Sequence, residues 1–86
     1  VLHQKQIDAV CSAVATILRA EREARGFSMN AVAERGGLSQ QMVSYVERGM
    51  RKPTIDTLLR ITVALELDIG DVLQRAQGAA ARPKGK

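Results

Sequence analysis

The stretch Ser28-Met-Asn-Ala-Val-Ala-Glu-Arg-Gly-Gly-Leu-Ser-Gln-Gln-Met-Val-Ser-Tyr-Val-Glu-Arg-Gly49 carries two short helices separated by a glycine turn. Ser28 and Ser39 each precede a run with helical apolar spacing, and each offers a side-chain oxygen to an orphan N–H of the first turn. In the first run Ala31, Val32 and Met29 supply the apolar face before the break at Gly36-Gly37. In the second, Met42, Val43 and Val46 form the apolar side, and Gly49 ends the helix. The buried side of that helix leaves Gln40, Gln41, Ser44, Tyr45 and Arg48 turned outward.

Helices extend on both sides. Ile7, Cys11, Val14 and Leu18 recur at the spacing of one helical stripe, and no Gly or Pro interrupts them before Gly26. This predicts helix 1 over residues 4–25, with Gly26 as its stop. Thr54 caps a fourth helix through Ile55, Leu58, Leu59, Ile61 and Leu65. Asp68-Ile-Gly-Asp71 resembles a capping box opening a short fifth helix through Val72 and Leu73. From Gln77 onward Gly, Ala, Pro and Lys predict a disordered tail. No stretch alternates with a period of two. The fold class is all-α, with five helices. Residues 1–13 extend helix 1, residues 14–73 form the domain, and residues 74–86 are expected to be a flexible basic tail.

Composition narrows the chemistry. Eighty-six residues suffice for one core, burying roughly 60% of the unfolded surface. One His and one Cys exclude a multi-ligand zinc site within one chain, a CxxC pair and an internal disulfide, so neither metal nor cofactor is expected. Ser28, Ser39 and Ser44 have no acid–base partner spaced near them, so no catalysis is expected. Cys11 reads as a buried small apolar residue. No apolar run reaches the roughly 18–20 residues of a membrane span, and the start does not read as a signal peptide, so the location expected is cytoplasmic. Phe27 and Tyr45 are the only aromatics, too few for a base-stacking single-strand platform. The net charge of +4 is unevenly spread. Residues 19–53 hold seven basic and four acidic groups, residues 54–73 one basic and four acidic, and residues 74–86 four basic and none acidic.

Two helices of eight to ten residues joined by a short Gly-containing turn make the arrangement of a DNA-binding helix-turn-helix, whose second helix lies in the major groove. Gln can pair bidentately with adenine, Ser can bond either kind of base, and Arg favours guanine or phosphate. An exposed helix face that is merely polar would read the same way at this point.

The sequence resembles the Cro/repressor (Xre-like) helix-turn-helix family of phage and bacterial regulators. The likeness rests on residues 26–33, on Gly37-Leu-Ser-Gln-Gln-Met-Val-Ser-Tyr-Val-Glu47 and on Arg48-Gly-Met-Arg-Lys-Pro53, and it continues through Ile69-Gly-Asp-Val-Leu73. The resemblance implies a five-helix lambda-repressor-like domain that regulates transcription by binding double-stranded DNA; the few base contacts of one module and the N-terminal apolar stripe add the expectation of a homodimer on a palindromic operator. The resemblance implies base reading by Ser39, Gln40, Gln41, Ser44 and Tyr45, and phosphate contacts from Arg51 and Lys52; the chemistry of Arg48 and the helix start at Ser28 add two further expected phosphate contacts. It further implies a small residue, Ala33, under the helix crossing, a turn glycine at Gly37, and a salt bridge between Arg22 and Glu47. Met29 departs from the pattern, standing where the family often has a phosphate-binding Gln. The alternative reading is an antitoxin-type subunit that binds a partner protein and autoregulates its operon. The N-terminal stripe could pack on helix 5 or form the homodimer contact, for which helices 4 and 5 compete.

Overall fold

The computed structural model describes residues 2–81. Five helices follow in order: α1 (Leu2–Ala24), α2 (Met29–Gly36), α3 (Gln40–Glu47), α4 (Ile55–Ala64) and α5 (Ile69–Ala81). Ser28, Ser39 and Thr54 cap α2, α3 and α4, each accepting a backbone N–H from three residues on. At the start of α5 only the forward half of the capping box forms: Asp68 Oδ1 accepts from the N–H of Gly70 at 2.6 Å and of Asp71 at 3.3 Å.

The first four helices end alike. In each, an amide just past the last turn bonds back five positions: Phe27 to Arg22 O, Leu38 to Ala33 O, Met50 to Tyr45 O and Leu67 to Thr62 O. This closure needs one residue in the left-handed region. Gly26, Gly37 and Gly49 fill it at φ 70°, but at the end of α4 the residue is Glu66, at φ 58°.

The core joins Val14 and Leu18 of α1, Val32 and Ala33 of α2, Val43 and Val46 of α3, Leu58, Ile61 and Leu65 at α4, and Val72 and Ala76 of α5. Gly36 lies where α2 meets α4; a Cβ there would stand 2.9 Å from the carbonyl oxygen of Arg60. The N-terminal stripe is largely consumed within the chain: Val14 and Leu18 are buried, and Val10 and Ile17 pack against the core. Cys11 is half-buried rather than fully buried, and Ile7 is exposed.

The expected tail from residue 74 is corrected over its first part, because α5 continues to Ala81. Ala76 is fully buried four residues after Val72, extending the apolar face by a turn. Arg75 on α5 also bonds Glu21 on α1 at 2.9 Å. Alanine favours helix, so the sequence Ala79-Ala80-Ala81 continues a helix once packing has started it. The basic segment Arg82-Pro-Lys-Gly-Lys86 lies outside the described residues.

Glu21 accepts from both Arg25 and Arg75, and these bonds, Arg25 first, hold its carboxyl below the ordinary value of 4.5. A depressed folded value contributes stability above the ordinary value, lost as pH falls through the folded one. Melting temperature should therefore drop as pH falls below 4.5, and an Arg75→Ala variant should show a smaller drop over the same window. Parallel curves would remove Glu21 as a contributor.

Candidate nucleic-acid interface

The candidate residues gather on α3 and the loop that follows it. Ser39 Oγ accepts from Met42 N at 3.1 Å, fixing the start of α3 while leaving its O–H free to donate. Gln40 and Gln41 are exposed on the first turn, and Ser44 and Tyr45 are half-buried on the next. Gln41 Nε2 donates to the Tyr45 hydroxyl at 2.6 Å. The guanidinium of Arg51 stands over the Tyr45 ring, 5.3 Å from its centroid, within range of a cation–π attraction. Gln41, Tyr45 and Arg51 thus form one cluster across the helix and its loop.

Other expected contacts lie apart from it. Ser28 Oγ accepts from Ala31 N at 3.0 Å at the start of α2. Arg48 is exposed beyond the end of α3. Lys52, expected to reach a phosphate, donates instead to Asp8 Oδ1 on α1 at 2.6 Å.

A buried ion pair links α3 to α1. Arg22 Nε and Nη2 donate to the two carboxylate oxygens of Glu47 at 2.7 and 3.0 Å, and Nη1 donates to Phe27 O at 2.8 Å. Glu47 is buried, and its carboxylate raises the Arg22 guanidinium further above its ordinary range, chiefly through the hydrogen bond. The fork geometry ties α3 to α1 and to the turn before α2. Ala33 of α2 is buried in the core, and Gly37 closes the turn in the left-handed conformation.

Sequence reasoning missed Arg35, which stacks 4.6 Å from the Phe27 centroid and donates to Ala64 O at 3.2 Å, bracing α2 against α4. A lone Arg at the end of a helix gave no signal for this. Among the described residues no group of three His, Cys, Asp or Glu side chains is placed to hold a metal ion. No described helix is long and apolar enough to cross a membrane.

A helix-turn-helix family model matches residues 18–72, from the last third of α1 into α5. The chain belongs to the helix-turn-helix family. An uncharacterized HTH-type transcriptional regulator of Mycobacterium tuberculosis (strain H37Rv) is 41% identical over 61 residues, which is 71% of this chain and 44% of the relative. The HTH-type transcriptional regulator SutR of Escherichia coli (strain K12) is 32% identical over 66 residues, 77% of this chain and 37% of that protein. The chain therefore spans less than half the length of these curated relatives. Among solved structures, ClgR, the clp gene regulator from C. glutamicum, superposes with a TM-score of 0.76 at 28% identity, covering 86% of this chain and 96% of that one. An HTH_3 family transcriptional regulator from Vibrio cholerae gives 0.72 at 32% identity, covering 84% and 41%. These helix-turn-helix relatives bear out the resemblance and the all-α fold read from the sequence. They are named as regulators rather than enzymes, in agreement with the expectation of no catalysis.

Proposed function

We propose that this domain reads a specific double-stranded DNA sequence as the DNA-binding part of a cytoplasmic transcriptional regulator, engaging a palindromic operator as a homodimer. The observation that carries the reading is the start of α3. Two exposed glutamines stand there on a helix held by the forked Arg22–Glu47 pair. A helix-turn-helix places such an N-terminal turn against base edges in the major groove. The regulator names of the helix-turn-helix relatives support it.

In this arrangement Gln40 and Gln41 read bases, with Ser39, Ser44 and Tyr45 beside them. Arg48, Arg51 and Lys52 neutralise phosphates after α3, and Ser28 with the N–H groups at the start of α2 meets another. Selection of bound duplexes from a random pool tests the reading. A pool that enriches no sequence, or binding that ignores salt, would reject it. Arg51→Ala should weaken binding to all sequences alike and lower the slope of log affinity against log salt by about 0.9.

The dimer has a surface available on α4. Ile55, Leu59 and Val63 follow at intervals of four, and Ile55 and Val63 are 73% and 69% exposed. Burying that stripe against a second copy would double the base contacts across half-sites roughly 34 Å apart. Val63→Lys should yield a monomer in sedimentation and lose the preference for palindromic over half-site duplex. The stripe also fits the alternative of a protein partner, as in an antitoxin-type subunit. A wild-type chain that stays monomeric on operator DNA would favour that alternative.

A further inference from the structure

Asp8 stands outside the region that the helix-turn-helix family model matches, which begins at residue 18. It nevertheless reaches the loop after α3. Asp8 Oδ1 takes two donors: Lys52 Nζ at 2.6 Å, from 44 positions away, and Gln4 Nε2 at 3.0 Å, from the preceding turn of α1. The pairing holds the Asp8 carboxyl below and the Lys52 ammonium above their ordinary ranges, in each case chiefly through that shared hydrogen bond. Both side chains remain more than half exposed, so water and salt reach the pair freely.

The two loop cations are therefore held in different ways. Arg51 lies over the Tyr45 ring, which leaves its charge uncancelled. Lys52 faces a carboxylate, which cancels it. A carboxylate oxygen at 2.6 Å from an ammonium offers the same charge and the same acceptor chemistry as a phosphodiester oxygen. We propose that Asp8 is a built-in phosphate surrogate: it occupies Lys52 in the free protein, and DNA must displace it before Lys52 can take a backbone phosphate. An exposed, screened pair is one that the dense phosphate charge of a duplex can exchange. Asp8 thereby lowers affinity for every sequence alike and leaves base preference untouched, because the glutamines of α3 take no part in the pair.

This inference rests on the DNA-binding reading, and the experiment separates the two. Binding of wild type, Asp8→Asn, Lys52→Ala and the double variant to one duplex is measured across a range of salt. Glu66→Gln, an equal charge change at the far end of α4, serves as the control. Asp8→Asn should bind roughly threefold tighter at low salt, with a slope steeper by up to about one, because in wild type salt also weakens the pair that opposes binding. The gain should vanish when Lys52 is already alanine, exceed that of Glu66→Gln, and leave the ranking of selected duplexes unchanged. Equal affinity and slope in wild type and Asp8→Asn would overturn the inference while leaving the DNA-binding reading intact. Weaker binding by Asp8→Asn would also overturn it, making Asp8 a residue that positions the loop. A wild-type chain without salt-dependent duplex binding would remove the reading and the inference together. Asp8 and Gln4 are both exposed, and matching helical circular dichroism and melting of the variants checks that the fold is kept.

Discussion

Replacing Glu47 with alanine is expected to lower folding stability by about 3–5 kcal/mol. The Glu47 side chain is almost fully removed from water, the Arg22 side chain largely so, and Arg22 directs two of its N–H groups at that carboxylate. Truncating the acid leaves a guanidinium that cannot be neutralised, with only its bond to Phe27 O and the longer approach of the exposed Glu23 carboxylate, at 3.9 Å, still in place. A domain of 86 residues has roughly 4–13 kcal/mol of stability in all, so the single change removes a large share of it. Urea unfolding measures the loss directly. Replacing both partners, with Arg22→Met and Glu47→Met, should cost distinctly less than Glu47→Ala alone, because the desolvated charge goes with its partner. If Glu47→Ala cost less than about 1 kcal/mol, the range of exposed pairs, the bridge would be acting as a surface contact. The double variant should nonetheless bind DNA less selectively than wild type, since it removes the hydrogen bonds that tie α3 to α1.

Gln41→Ala is expected to cost about 1–3 kcal/mol in binding the preferred duplex, concentrated at one base pair. A glutamine amide reads adenine by accepting from N6 and donating to N7. The Gln41 amide nitrogen has two hydrogens; one is directed at the Tyr45 hydroxyl, and the second remains for a base. Tyr45 therefore positions the amide. Competition among duplexes that differ at single positions provides the measurement. Loss confined to one position, with the others keeping their order, is the expected pattern; Arg51→Ala instead lowers all of them together. An unchanged ranking and affinity for Gln41→Ala would show that the sequence is read elsewhere.

Much of the fold was legible because the chain punctuates itself. Ser28, Ser39 and Thr54 cap the helices they precede, and Gly26, Gly37 and Gly49 stop the ones they follow. Both signals act within a few residues and need no tertiary context. The end of α4 was harder to read for the same reason, since Glu66 takes a conformation that its side chain disfavours. The extent of α5 was hidden because Gly and Ala between residues 76 and 81 carry little hydrophobic pattern, and burial of Ala76 against α1 decides the outcome. At the candidate interface, exposure of Gln40 and Gln41 followed from the apolar spacing of α3. The partners of Tyr45, Lys52 and Arg35 depended on how the loop and α1 pack, over separations that local pattern does not reach. The Arg22–Glu47 pair, 25 positions apart, was reached through family resemblance and not through spacing.

Tyr45 gives the molecule an optical property. It is the only tyrosine in a chain without tryptophan, so the intrinsic ultraviolet emission of the protein comes almost entirely from one ring. That ring sits between the amide of Gln41 and the guanidinium of Arg51, inside the surface assigned to DNA. Stacking, proton sharing and exclusion of water all change phenol emission. Unlabelled protein should therefore report occupancy of this face, and the rate at which it is occupied, by its own fluorescence.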